Sequence, residues 1–197
     1  MLFAVLHTPG KVFNDIARGD TRVIGAVQRL TFLFLVLPPV CAWIGSTLFG
    51  WRLGTANPLY FDNTARVIIS FFYADALVVG YLTTVLLARW MARTYGGEQV
   101  PTESLFAFFT VVCAPLSIAS IAHLYPQIFF NVLVLIPCII WAMTLLYRGM
   151  PVIMKIPPER GMLMSSSIVG WLLVAFVSLL GLSAGLWTYG LGPSIGV

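Results

Sequence analysis

The stretch Arg66–Arg89, RVIISFFYADALVVGYLTTVLLAR, constrains this chain more than any other. Twenty-two residues separate its two arginines, and only Asp75 among them carries a formal charge. At about 1.5 Å of rise per residue, a helix here is about 33 Å long, enough to cross a hydrocarbon core of about 30 Å. Asp75 lies about 13.5 Å from Arg66, near the middle of the membrane. A carboxyl there costs at least about 2.5–3.5 kcal/mol unless it is neutral or partnered, which predicts that it faces protein rather than lipid.

Composition agrees with a membrane solvent. Of 197 residues, 59% are hydrophobic and 9% charged, and the mean hydropathy is +0.95. A soluble domain carries about 25% charged residues. The net charge of +4 does not point to nucleic acid, because the basic residues sit at the ends of apolar runs rather than along a stripe. Cys41, Cys113 and Cys138 fall inside apolar runs, form no CxxC, and read as buried thiols. The apolar start Leu2–Leu6 is too short for a signal peptide core and no basic residue precedes it, so the first span is expected to stay as an uncleaved anchor.

Five spans follow from the pattern. Residues 1–29 form an amino-terminal segment in which Thr8 and Pro9 open a short amphipathic helix and Gly19 closes it. Val12, Phe13 and Ile16 share one face of that helix, which lies along the membrane surface or serves as an unpartnered linker. Span one covers Leu30–Gly50, with a kink or break expected at Pro38-Pro39. Span two is the opening stretch, span three runs Ser104–Leu124, span four Ile128–Tyr147 and span five Met164–Tyr189. Gly96-Gly97 makes a flexible loop between spans two and three. Residues 30–189 thus form one five-helix transmembrane unit, and residues 190–197 a short uncharged tail.

Charge orients the spans. Lys11, Arg18, Arg22, Arg29, Arg89, Arg93, Arg148, Lys155 and Arg160 fall on one side, and Arg52 and Arg66 on the other. Basic residues are retained in the cytoplasm, so the amino terminus is expected there and the carboxyl terminus in the periplasm.

Reactive groups are sparse. There is no HExxH, GxSxG or Walker loop, and His7 and His123 fall on opposite sides of the membrane. No enzymatic activity, metal or cofactor is expected. Asp75 is either a proton or cation site or a neutral carboxyl bonded to a neighbouring helix, with Ser117 and Ser178 at matching depth as partners. Gly181 and Gly185 form a GxxxG face that would let another helix, or a second copy of the chain, approach closely. Tyr147–Gly161 reads as a proline-stiffened loop in which Gly149, Pro151, Pro157 and Pro158 rule out a long regular helix. Tyr147, Arg148, Gly149, Pro151, Lys155 and Arg160 make it a docking surface, or a chain reversal whose cations meet anionic headgroups.

The run Leu145-Leu146-Tyr147-Arg148-Gly149-Met150-Pro151, followed by Lys155-Ile156-Pro157-Pro158-Glu159-Arg160-Gly161, resembles the Yip (Ypt-interacting protein) family. Gly96-Gly97 followed by Leu105, Phe106 and Pro115 is similar to its bacterial branch, and Cys41–Trp51 (CAWIGSTLFGW) to the YohC-like inner-membrane members of that branch. The resemblance implies five membrane helices and a cytoplasmic amino terminus. Eukaryotic relatives are adaptors for Rab-type GTPases and carry a longer cytosolic region with an acidic Asp-Leu-Tyr-Gly-Pro motif; neither occurs in this sequence.

The expectation is therefore an all-α, five-helix inner-membrane protein whose surroundings are the lipid bilayer and other membrane proteins. Its first functional reading is a scaffold or adaptor that binds those proteins or a second copy of itself. The rival is a small transporter or channel whose path includes Asp75 and the proline-broken helices.

Overall fold

The computed structural model describes residues 2–52 and 57–189; the eight-residue tail lies outside the described residues. Among them there are no strands, only two isolated bridges, Trp51 with Leu59 and Arg52 with Gln127. Two short helices, α1 (Leu2–His7) and α2 (Pro9–Ala17), precede α3 (Thr21–Leu48), α4 (Asn63–Thr94), α5 (Thr102–Ala119), α6 (Ile128–Met154) and α7 (Pro158–Thr188). A 3₁₀ turn, Ser120–Leu124, prolongs α5. Five of these segments, α3, α4, α5 with its turn, α6 and α7, are long and apolar enough to cross a membrane.

The helices start where the chain offers caps. Asp20 accepts hydrogen bonds from the Arg22 and Val23 amides and opens α3 nine residues before the expected span. Asp62 does the same for α4 through Thr64 and Ala65. Each satisfies amides that the helix itself leaves orphaned. Pro38 and Pro39 are buried within α3, which runs through them without a break, so of the two expected outcomes, kink or break, the break does not occur. An interruption there would leave further backbone groups unpaired in hydrocarbon, whereas a continuous helix with proline's compatible φ leaves only the two lost amide donors to answer for.

The core is built around α5. Twelve of its 18 residues are buried, and Leu105, Ala107, Phe108 and Val111 are essentially inaccessible. Phe108 meets Phe13 of α2 edge-on, with ring centroids 5.4 Å apart. Val12, Phe13 and Ile16 of α2 therefore spend their apolar face on the bundle rather than on lipid.

The segment read as a loop from Tyr147 to Gly161 is mostly helix. α6 continues through Gly149 and Pro151 to Met154, Pro158 occupies the first position of α7, and only Lys155–Pro157 connect them. Gly149 is buried, and a Cβ there would stand 2.5 Å from Phe108 and 2.9 Å from Phe13. The close approach of these rings outweighs the roughly 1 kcal/mol that glycine costs a helix. Pro151 frees the Tyr147 carbonyl only one turn before α6 ends, so little helix is lost.

Gly96-Gly97 is likewise anchored rather than loose. The Glu98 amide donates to Met154 O (3.1 Å), and Lys155 pairs with Glu98 at 2.7 Å. The two turns at the basic end of the molecule are stitched into one unit.

Candidate functional site

Asp75 is exposed on α4, and no hydrogen bond or ion pair holds its carboxyl among the described residues. Its neighbours one and two turns away, Ile68, Phe71, Phe72, Val78, Val79 and Leu82, are exposed large apolar side chains. They share its face at spacings of three, four and seven residues. The face of α4 turned to the bundle lies opposite: Thr84, nine residues and half a revolution from Asp75, is buried with Val85 and Ala88. The expectation that Asp75 bonds a neighbouring helix is thus not met within this bundle. Ser117 is buried on α5 and Ser178 is exposed on α7, and neither bonds to Asp75. Gly181 is exposed and Gly185 half-buried on α7, and a Cβ at either meets nothing within 4 Å. Glycines that admit close contact between helices inside the chain include Gly45 and Gly149 instead. At Gly45 a Cβ would collide with the carbonyls of His123 and Leu124.

A polar string that the sequence did not disclose crosses the end of the bundle that carries the Asp62-capped start of α4. Asn131 of α6 donates from Nδ2 to the carbonyls of Tyr125 and Gln127, both at 2.9 Å. Its Oδ1 is then free to accept, and His123 Nδ1 lies 2.6 Å away. That assigns a proton to Nδ1, and Nε2 shares a hydrogen bond with the Tyr73 hydroxyl at 3.2 Å. The imidazole ties α4, the 3₁₀ turn and α6 together. A second knot lies deeper, where Thr31 of α3 and Tyr81 of α4 meet Thr110 of α5 at 2.6 and 2.8 Å. Tyr81 also donates to Phe106 O at 2.7 Å. Both knots pair polar groups across helices, which is how a membrane bundle fixes its register.

The Yip1 domain model matches residues 3–190, nearly the whole chain. The chain belongs to the Yip1 domain family. It is 28% identical over 189 residues to the inner membrane protein YohC of Escherichia coli K12, covering 96% of each chain. The YohC of a second Escherichia coli strain, O6:H1, matches to the same extent. No solved structure matches it. It is a Yip1-family, multi-pass inner-membrane protein.

In this Yip1 domain the motif residues at the basic end divide into two groups. Tyr147 bonds Ser166 at 2.9 Å, Arg160 donates to Tyr95 O at 3.4 Å, and Lys155 holds Glu98, so these are spent in joining α6 to α7 and the α6–α7 turn region to the turn after α4. Pro151 packs against Gly161, where a Cβ would stand 2.8 Å from its ring. Arg148 alone of the predicted docking residues is an exposed cation without a partner among the described residues.

Proposed function

We propose that this Yip1-family protein is a non-enzymatic membrane scaffold or adaptor that assembles sideways, within the bilayer, through the Asp75 face of α4. The observation that carries this reading is a carboxyl exposed among apolar side chains at mid-membrane depth. Lipid gives that group no hydrogen bond, whereas a neighbouring helix with a hydroxyl, amide or second carboxyl does. Gly181, exposed, and Gly185, half-buried, offer on α7 a further close-approach face to a second helix. A monomeric transporter is less well supported, since Asp75 stands on the outer surface of the bundle, and a path along it would need a second chain to close it.

The test is a photo-crosslinking amino acid placed at Val79, one turn from Asp75, in cells at native expression. Leu133 on α6, also exposed, serves as the control position. Protein adducts at Val79 and lipid adducts at Leu133 are expected. Lipid adducts alone at both positions would end the reading.

A further inference from the structure

A second feature of the molecule is independent of the Asp75 face. Between α2 and α6, at the basic end, lies a groove of about 250 Å³ lined by Phe13, Asn14, Trp141, Thr144, Leu145 and Arg148, among others. We infer that this groove holds an anionic phospholipid, its phosphate on Arg148 and the upper part of one acyl chain along Leu145 and Trp141.

Depth supports the assignment. Counted from Ile128, a hydrocarbon core of about 30 Å spans about 20 residues of helix and ends at Arg148. Arg148 therefore stands at headgroup level, with Trp141 about 10 Å below it in the chain region. Trp141, Thr144, Leu145 and Arg148 fall at spacings of three, four and seven, so they make one stripe that passes from apolar to cationic as it climbs. Phe13 gives the groove an apolar wall, and Asn14 and Thr144 add polar groups beside the cation.

Charge supports it as well. Lys155 is neutralised by Glu98, but Arg148 has no such partner among the described residues. Guanidinium recognises phosphate through two parallel hydrogen bonds, and basic pockets between helices at this level suit anionic headgroups. The volume is smaller than the roughly 300–1,000 Å³ of pockets that engulf a small molecule. It fits a headgroup and the first part of a chain, with the rest of the lipid remaining in the bilayer.

The test uses the full-length protein purified in detergent and native mass spectrometry, with phosphatidylglycerol or phosphatidylcholine of identical chains added. Wild type is expected to retain phosphatidylglycerol at concentrations about tenfold lower than phosphatidylcholine, the difference one charge-assisted hydrogen bond makes. Arg148→Gln should abolish that preference. Arg93→Gln, which removes an exposed cation elsewhere at the basic end, should preserve it. Thr144→Trp keeps every charge but fills the groove, and should weaken retention of both lipids at least about tenfold. It also carries the test should Arg148→Gln not purify as a folded protein, since Thr144 is exposed and its only bond is to its own helix. Equal retention of the two lipids by wild type, equal loss in Arg93→Gln and Arg148→Gln, or wild-type binding by Thr144→Trp would each overturn the inference. So would full displacement by millimolar inorganic phosphate, which would make this a site for the free anion.

Discussion

At the scale of single residues, Gly45 and His123 hold one corner of the molecule together. A Cβ on Gly45 would lie 2.0 Å from the His123 carbonyl, a backbone atom that no side-chain rotation can move. Gly45→Ala should therefore destabilise the protein by about 2–3 kcal/mol, while Gly181→Ala, which meets nothing within the chain, should change thermal unfolding in detergent by less than about 0.5 kcal/mol. The His123 string gives a graded series. Tyr73→Phe removes one hydrogen bond and should cost about 0.5–1.5 kcal/mol. Asn131→Leu strands the His123 Nδ1–H and takes one of two donors from each of the Tyr125 and Gln127 carbonyls, and should cost about 2–3 kcal/mol. Equal effects of the two substitutions would show that the string is not connected as drawn. None of this was legible beforehand. Glycine at position 45 carries no GxxxG signature, and His123 lies 50 residues from Tyr73, so only the fold makes them neighbours.

At the scale of elements, the α6–α7 connection separates what the sequence displays from what it hides. Lys155 adopts a left-handed conformation, φ 51°, which costs a non-glycine residue roughly 1–2 kcal/mol. Its ion pair with Glu98 is exposed and contributes about 0–1 kcal/mol. Lys155→Gly should therefore be neutral or stabilising, and Lys155→Ala destabilising by less than about 1 kcal/mol, both read by denaturation in detergent. Spans were plain because runs such as Arg66–Arg89 are apolar throughout. The facing of each span was hidden for the same reason: α4 is apolar on both its buried and its exposed sides, so periodicity gives no contrast and does not say which side of the bundle Asp75 takes. The helical extension through Gly149 and Pro151 was hidden because local propensity argues for a turn there, and the packing of Phe13 and Phe108 overrides it. The amphipathic pattern of α2 was correct in phase, yet its partner, α5 and α6, could not be read from nine residues.

At the scale of the whole molecule, α3, α4 and α6 pack about α5, α7 lies against α4 and α6, and the outer faces of α3, α4, α6 and α7 meet the surroundings. The distribution of arginine and lysine predicts that the stitched basic end, with the groove at Arg148, faces the cytoplasm. An alkaline phosphatase fused after Val197 should then be active, and an inactive fusion with a fluorescent cytosolic counterpart would reverse the orientation. The account of function rests on the carboxyl that the fold leaves on its outer surface. The yield of protein adducts from the Val79 crosslinker, compared among wild type, Asp75→Asn and Asp75→Leu, tests it most directly. Asparagine keeps a hydrogen-bonding group and should hold the yield within about threefold, whereas leucine should lower it about tenfold, the weight of one hydrogen bond between membrane helices. An undiminished yield in Asp75→Leu, with the protein still folded and inserted, would contradict the account.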